Sequence, residues 1–210
     1  MTGADGSLII SGEITASRLP SLYVPKLGRT SAHTAIQPDG SFELPRLTLG
    51  AYQLCVTVPG TAWLDSCEWG RSGTVVALTP IDTSAQATIS LTKGALVTVR
   101  VNDPLQLLPK NEGVAPGASL FLGVGGDSHF FRTAAIASQD SGGRSYQILI
   151  PFGRSVNISV TSSLFQLTDQ KGGTLPPGNL FPVTVPPGQI PATLVLNLIG
   201  IVAVAAPSVP

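Results

Sequence analysis

The chain has 210 residues, of which 43% are hydrophobic and 11% are charged, and its formal net charge at pH 7 is zero. This composition supplies enough apolar side chains for a packed core and excludes an intrinsically disordered chain. A neutral chain also lacks the basic field that binds nucleic acids or anionic membranes, so neither is an expected partner.

Residues that break regular helices are frequent, with 23 glycines and 18 prolines in the chain. Inside a helix Gly costs about 1 kcal/mol and Pro about 3 kcal/mol relative to Ala, whereas short strands joined by turns accommodate both. We therefore expect an all-β protein. Residues 130–139 fit a helix or a strand, and their alternation leads us to interpret them as a strand.

The first predicted strand covers residues 7–16, which read SLIISGEITA. Regular alternation places Leu8, Ile10 and Ile14 on one face of this strand. Gly12 interrupts the pattern and predicts a bulge.

A turn and two strands are predicted within residues 38–58. The turn is Pro38-Asp39-Gly40, since Pro presets φ and Gly tolerates positive φ. Residues 42–44 then predict a short strand. Beyond Gly50, apolar residues alternate with polar ones and predict a strand with one buried face, formed by Tyr52, Leu54, Val56 and Val58. Further strands are predicted over residues 74–78 and 85–91.

Three patterns of the first half recur in the second half. The spacing of Phe42, Tyr52 and Val56 is repeated by Tyr146, Val156 and Val160. Residues 87–91 match residues 192–196, and residues 7–13 match residues 95–101. Recurrence at near-constant spacing indicates two copies of one module. We expect one domain over residues 1–93 and a second over residues 94–210.

The two ends of the chain carry no pattern of a membrane segment or a signal peptide. The first ten residues lack a basic region and a long apolar region, so an exported protein would have this sequence as its mature form. Residues 192–206 are apolar but shorter than the roughly 20 residues of a spanning helix. We interpret them as a last strand followed by a tail.

The stretch PDGSFELPRLTLGAYQLCV resembles the carboxypeptidase regulatory-like domain. The residues that carry the resemblance are an Asp-Gly turn, an apolar strand residue, a leucine and a Gly just before a Tyr, which are here Asp39-Gly40, Phe42, Leu47, Gly50 and Tyr52. The resemblance covers residues 6–94. Over residues 95–204 it depends on spacing alone, because Gly142-Gly143 replaces the Asp-Gly turn and Val156 replaces the tyrosine.

This resemblance implies a transthyretin-like or Cna-B-type sandwich, which is a Greek-key fold. We accordingly predict two tandem Greek-key β-sandwich modules of transthyretin-like or Ig-like type. The resemblance also implies a non-catalytic role in an exported bacterial protein, as a spacer, scaffold, adhesion module or sugar-binding module.

The two cysteines, Cys55 and Cys67, permit two interpretations. An even cysteine count in a weakly charged chain rich in Ser and Thr indicates a disulfide and an oxidising compartment. The alternative is a pair of unbonded buried thiols. Cys55 alternates away from the face of Tyr52, so we expect it to point outward, where a returning loop can bring Cys67 to it.

The segment between the cysteines and just beyond contains the candidate ligand-binding residues Trp63, Trp69, Asp65 and Glu68. An indole ring stacks on the apolar face of a sugar, and a carboxylate accepts hydrogen bonds from its hydroxyls. The alternative is that both tryptophans only cover the edge of a sheet beside the disulfide.

No pattern in the sequence predicts a catalytic or metal site. His33 and His129 are isolated, and only Asp127 lies near one of them. The GxSxG motif of a hydrolase nucleophile is absent, so we expect no catalytic residues, no metal and no cofactor. Arg144 and Arg154 are expected at solvated ends of strands.

The sequence therefore predicts a non-catalytic structural or adhesion protein with weak carbohydrate binding. A glycan or another surface protein is the expected partner, and the expected location is secreted, periplasmic or at the cell surface. One alternative is an accessory domain of a larger secreted hydrolase or of an outer-membrane transport system. A third hypothesis is a hydrolase whose site is assembled from Asp65, Glu68 or His129.

Overall fold

The computed structural model describes residues 1–19, 31–109, 120–126 and 129–202, with only the backbone of Gly126 and His129. Within these ranges the chain forms β-strands and two short 3-10 turns, at Ser66–Trp69 and Pro177–Asn179, and no α-helix. The predicted all-β class is thus confirmed. None of the helical segments in these ranges has the length and apolar character needed to cross a membrane.

The chain divides into two compact units, Met1–Ala95 and Leu96–Pro210. The division falls inside one continuous strand, Ser90–Asn102, which also contains the sequence-based boundary between residues 93 and 94. The last strand of the first unit therefore continues directly as the first strand of the second unit.

The strands of the first unit are β1 (Thr2–Gly3), β2 (Glu13–Arg18), β3 (Ser31–Ala35), β4 (Gly50–Thr57), β5 (Trp63–Leu64), β6 (Thr74–Leu78) and the first part of β7 (Ser90–Asn102). The unit is built around a four-stranded antiparallel sheet with the order β3-β2-β4-β6. In addition, β1 pairs in parallel with the start of β7, and β5 pairs with the same stretch in antiparallel fashion.

The core of the first unit lies between the inner face of its sheet and the beginning of β7. Ile14 of β2 and Tyr52 of β4 are fully buried there, together with Ile89 and Leu91. The hydroxyl of Tyr52 donates to the backbone oxygen of Thr48 over 2.9 Å, which satisfies its polar atom inside the core.

The strands of the second unit, besides the later part of β7, are β8 (Phe121–Gly126), β9 (His129–Thr133), β10 (Ala135–Asp140), β11 (Gly143–Pro151), β12 (Ser155–Thr161), β13 (Phe165–Asp169), β14 (Leu180–Thr184) and β15 (Leu194–Ile201). They form the sheets β14-β12-β8-β9 and β10-β11-β7-β15-β13. In the latter, β7 and β15 pair in parallel, and β13 pairs with β15 in antiparallel fashion.

The two units share one strand plan. In each four-stranded sheet the first two strands in the chain form an edge pair, the third lies beside the first, and the fourth lies at the other edge. In each unit the first and last strands pair in parallel, as β1 with β7 and as β7 with β15. The duplication of one module, predicted from spacing, remains a prediction that this common plan favours.

The strand predicted over residues 7–16 is only partly correct. Strand β2 begins at Glu13, and residues 1–9 fold back on themselves, with the N–H of Gly3 donating to the oxygen of Ser7. Leu8 and Ile10 are consequently 53% and 57% exposed, while Ile9 is buried. A shift by one residue exchanges the two faces of an extended segment. Residues 99–102 pair in parallel with the last strand of the second unit, as β1 does with the last strand of the first, so their counterpart is β1 rather than residues 7–13.

Two other predicted strands do not form as expected. Residues 42–44 contain no strand, and of residues 85–91 only Ser90 and Leu91 belong to one. Phe42 and Leu44 still pack against the core as their alternation predicts. Alternation thus predicts burial correctly here, but a strand also requires a neighbouring backbone with which to pair.

Arg144 contradicts the expectation of a solvated strand end, because its side chain is fully buried. It donates to the side-chain oxygen of Gln139, to the hydroxyl of Tyr146 and to the backbone oxygen of Pro109. These acceptors offset part of the desolvation cost of the guanidinium.

Residues 130–139, which the sequence predicts to be a strand rather than a helix, form most of β9 and β10.

Candidate functional site

The candidate site is the cysteine loop, defined here as residues 55–70, which leaves the end of β4. Alternation along β4 turns Tyr52, Leu54 and Val56 into the core, where each is at most 2% exposed. Cys55 therefore lies on the opposite face of the strand, half-buried, as the sequence predicts. The loop returns across this outer face.

Cys55 and Cys67 form a disulfide, with a Cα–Cα distance of 5.8 Å. The prediction of a covalent bond is confirmed, and the alternative of two unbonded thiols is wrong. The amide of Gln53 lies beside the bond, with its nitrogen 3.4 Å from the sulfur of Cys67. The end of the loop is therefore fixed to the outer face of β4.

Asp65 is a buried anchor of the loop, only 3% exposed. Its Oδ2 atom accepts a hydrogen bond from the backbone N–H of Val56 at 2.9 Å. Its Oδ1 atom accepts from the hydroxyl of Ser66 and from the backbone N–H of Cys67. Both carboxylate oxygens are thus used to hold the loop on β4 and to cap the turn that follows.

Glu68 completes the cap of the 3-10 turn. Its carboxylate accepts a hydrogen bond from the backbone N–H of Asp65 at 3.1 Å, so the two acidic residues form a capping box. The turn ends at Gly70, whose φ of 83° lies in the left-handed region. The carboxylates expected to bind a ligand therefore make hydrogen bonds within the loop.

Trp63 is half-buried and packs against the core of the first unit. An ideal Cβ atom built on Gly3 would lie 2.2 Å from the ring, so only a glycine fits beneath the indole at that position. The Nζ atom of Lys93 lies 5.1 Å from the ring centroid, within cation–π range. These contacts link Trp63 to β1 and β7, in agreement with the interpretation that it covers the edge of a sheet.

The ammonium group of Lys93 also pairs with Asp5, with its Nζ atom 2.8 Å from Oδ2. The hydrogen bonds from Lys93 and Ser7 hold the pKa of Asp5 well below its usual value. Both side chains are largely exposed, so this pair contributes little to stability at physiological salt.

Trp69 is half-buried at the end of the 3-10 turn. Its indole Nε1 is inaccessible to solvent and has no hydrogen-bond partner among the described residues. A buried donor without an acceptor costs about 1–3 kcal/mol. Of the four residues predicted to bind a ligand, Trp69 therefore retains an unused polar group.

The two histidines do not join this loop. His33 is exposed on the edge strand β3. His129 belongs to β9 of the second unit, and its predicted neighbour Asp127 lies outside the described residues. Within the part of the chain that the structure describes, no three His, Cys, Asp or Glu residues are grouped closely enough to bind a metal ion.

A separate groove of about 620 Å³ opens on the first unit. It is lined by residues 40–47 and 83–88, together with Met1, Leu54, Val76 and Leu78. No local pattern predicts this groove, because residues 42–44 on one side of it and residues 85–88 on the other have the alternation of strands.

Comparison with known proteins identifies no family. No protein-family model matches the sequence, and no curated protein matches it. The chain is similar to a crystal structure of a double mutant of the shaft pilin SpaA from Lactobacillus rhamnosus GG, with 13% identity and a TM-score of 0.31, over 94% of this chain and 73% of that chain. Similarity at this level carries no argument about function, and membership in the carboxypeptidase regulatory-like family remains a prediction.

Proposed function

We propose that this chain is a non-catalytic, exported β-sandwich protein that holds the cysteine loop rigid and presents it to a partner. The observation that carries the proposal is the number of independent anchors on one short loop. The disulfide, the buried Asp65 and the Lys93 contact with Trp63 all fix the loop to strands of the first unit. Preorganisation of this kind lowers the entropy lost when a surface binds.

The hydrogen bonds of the Asp65 and Glu68 carboxylates favour a binding protein over a hydrolase. A general acid or base must reach a substrate proton and exchange protons with it. Asp65 is buried with both oxygens engaged, and Glu68 accepts a backbone hydrogen bond. The hypothesis of a hydrolase assembled from Asp65, Glu68 or His129 gains no support from this arrangement.

The disulfide supports export. Stable disulfides form in secreted, periplasmic and surface proteins, where the surroundings are oxidising. Cys55 and Cys67 are 12 positions apart and already bonded, as expected of a protein that folds in such a compartment.

We further propose a weak contact between the ring of Trp69 and the apolar face of a sugar. Trp63 is engaged by Gly3 and Lys93, so Trp69 is the better candidate of the two tryptophans. When the ring turns outward, its unpaired indole N–H can donate a hydrogen bond to a hydroxyl oxygen of the ligand.

A glycan array tests this proposal, using the purified chain, Trp69→Ala and the matched control Ile81→Ala. Ile81 is 91% exposed and lies outside the loop. We expect binding to at least one glycan class, lost in Trp69→Ala and retained in Ile81→Ala. Binding to no glycan, or equal binding by both variants, contradicts the sugar contact.

The rival role is distinguished by purification from the source cells. A hydrolase or transport protein that co-purifies at fixed stoichiometry would identify the chain as an accessory domain of that partner. Recovery of the chain without such a partner agrees with the proposed independent display role.

A further inference from the structure

In both units the first and the last strand lie side by side and run in the same direction. Strand β1 pairs in parallel with the start of β7, and the later part of β7 pairs in parallel with β15. A pull on the two ends of a unit therefore acts on this pair from opposite ends, along the strand axes. Such a force slides one strand past the other, so the hydrogen bonds between the two strands resist it together.

Antiparallel neighbours respond differently to a pull. In the pair of β12 and β14, Ser155 lies opposite Thr184 at one end of the ladder. A pull that separates these two residues breaks the hydrogen bonds one after another, beginning at that end. Breaking bonds in sequence requires less force than breaking them at once. The direction of pairing therefore decides how strongly a pair of strands resists tension.

The pair of β7 and β15 is bonded through its backbone and through its side chains. Residues Val99 to Asn102 lie in register with Leu194 to Asn197. The amide of Asn102 donates to the side-chain oxygen of Asn197 over 3.0 Å, so sliding by one residue breaks this bond as well. The amide nitrogen of Asn197 in turn donates to the backbone oxygen of Asp169 in β13 at 2.8 Å. Side-chain bonds thus connect three strands across one face of the sheet.

Strand β7 is also held on the side away from β15. In the sheet it lies between β11 and β15. The guanidinium of Arg100 on β7 donates to the carboxylate of Asp140 on β10 at 2.7 and 2.9 Å, and to the hydroxyl of Ser145 on β11. Arg100 thereby connects β7 to two further strands, so tension on β7 acts on the pairing with β15.

The inner face of the same pair is closed to water. Val99 and Val101 of β7 and Leu196 of β15 are fully buried there. A hydrogen bond in such surroundings is electrostatically stronger than one in water, and water cannot readily replace a partner that is lost. Burial therefore strengthens the resistance of this pair to sliding.

Strand β1 is bonded to β7 in a similar way. The backbone N–H groups of Thr2 and Ala4 donate to oxygens in β7 and just before it, and the carboxylate of Asp5 pairs with Lys93. Strand β7 is continuous over Ser90–Asn102. Tension that enters through β1 can therefore pass along the backbone of β7 to β15 without crossing either four-stranded sheet.

We propose that this chain carries tension between its two ends, along the strands β1, β7 and β15. This mechanical role goes beyond the display role proposed above. It does not depend on sugar binding, because the three strands lie outside the cysteine loop. A negative glycan array leaves the mechanical role intact, and a weak resistance to force leaves the display role intact.

Single-molecule force spectroscopy on the full chain tests the proposal by comparing two directions of pull. In one, the handles are attached at the two ends of the chain. In the other, they are attached through introduced azide side chains at Ser155 and Thr184, which are both exposed, so that the second unit is peeled open. At the same constant force, this unit should survive at least about tenfold longer when it is pulled from the ends.

The disulfide identifies which unit has unfolded in the end-to-end experiment. Cys55 and Cys67 are 12 positions apart in the first unit, so the closed loop withholds roughly 35–40 Å of extended chain. Reduction should lengthen the extension step of the first unit by this amount and leave the step of the second unit unchanged. The lifetime to be compared is that of the unchanged step.

Asn102→Ala tests the side-chain bond within the strand pair. Its loss should raise the unfolding rate under end-to-end force about two- to tenfold, because sliding must break this bond. The same substitution should leave the peeling rate unchanged, since β12 and β14 separate first. Asn157→Ala, which removes an exposed asparagine of β12, is the matched control and should leave the end-to-end rate unchanged.

Thermal unfolding first establishes that each variant is folded. One outcome that overturns the proposal is a second unit that survives no longer under end-to-end force than under peeling at Ser155 and Thr184. This comparison uses the unsubstituted strand pair, so no folding defect of a variant affects it. The other is an Asn102→Ala variant whose end-to-end rate changes no more than its peeling rate, or no more than that of Asn157→Ala.

Discussion

Oδ2 of Asp65 accepts a hydrogen bond from the backbone N–H of Val56 over 2.9 Å, in a site where Asp65 is only 3% exposed. This bond connects the cysteine loop to β4 independently of the disulfide. Strand β6 pairs with β4 only as far as Leu54, so no residue of β6 lies opposite Val56. The carboxylate of Asp65 therefore accepts a backbone hydrogen bond that β6 is not in position to accept.

The first prediction concerns this carboxylate. Asp65→Ala leaves the buried N–H of Val56 without its acceptor and removes the cap of the 3-10 turn, so we expect a loss of about 3 kcal/mol in the free energy of unfolding. Urea denaturation measures this loss in the free energy of unfolding. The matched control is Asp39→Ala, which removes an acceptor from an exposed turn and should cost less than about 1 kcal/mol. Equal losses in both variants would contradict the assigned anchor.

The second prediction concerns the disulfide. Replacement of both Cys55 and Cys67 by Ser opens a loop of 12-residue separation, and the chain-entropy model predicts a loss of about 3 kcal/mol. The loop should stay in place, because Asp65 and β5 still hold it. Hydrogen exchange at Leu64 and Val56 reports on this. Rapid exchange at both amides in the double variant would show that the covalent bond alone holds the loop.

The third prediction concerns the contact between Gly3 and Trp63. Gly3→Ala forces a methyl group into the indole, and such overpacking costs about 1–3 kcal/mol. Gly142→Ala is the matched control, because its nearest heavy atom is 3.4 Å away, and it should change stability by less than about 0.5 kcal/mol.

A double-mutant cycle assigns the cause of the Gly3→Ala effect. With Trp63→Leu in place, the smaller side chain leaves room for the methyl group, so Gly3→Ala should cost much less. An unchanged cost in this background would place the strain elsewhere in β1.

The fourth prediction concerns acid. Hydrogen bonds from Arg100, 2.7 and 2.9 Å long, and from Gly142 lower the pKa of Asp140 from its usual 3.8. The unfolded chain therefore binds this proton at a higher pH than the native chain. The contribution to stability is complete above the ordinary pKa and is lost as pH falls through the native value.

Thermal unfolding between about pH 2 and pH 5 measures this dependence. Asp140→Asn should flatten the decline of the melting temperature with acid. High salt should reduce the contribution of the exposed pair as well, because it screens surface charges. An identical acid profile for the variant and the wild type at low salt would contradict the role of Asp140.

Several features of the loop could be predicted from local sequence and others could not. The outward direction of Cys55 follows from two-residue alternation along β4. The use of Asp65 as a buried anchor has a local signal, since Asp followed three residues later by Glu is a capping pattern. Its bond to Val56 has no local signal, because it depends on where the loop crosses the strand.

By itself, the amino-acid sequence determined the all-β class, the buried face of β4 and the presence of a partner for Cys55, because composition and alternation act between near neighbours in the chain. Only the tertiary structure decided that Arg144 is buried, that residues 41–47 and 83–88 flank a groove, and that β7 ends one unit and begins the next. These features depend on which distant backbones come into hydrogen-bonding reach, and strand pairing between distant residues leaves little trace in any local pattern.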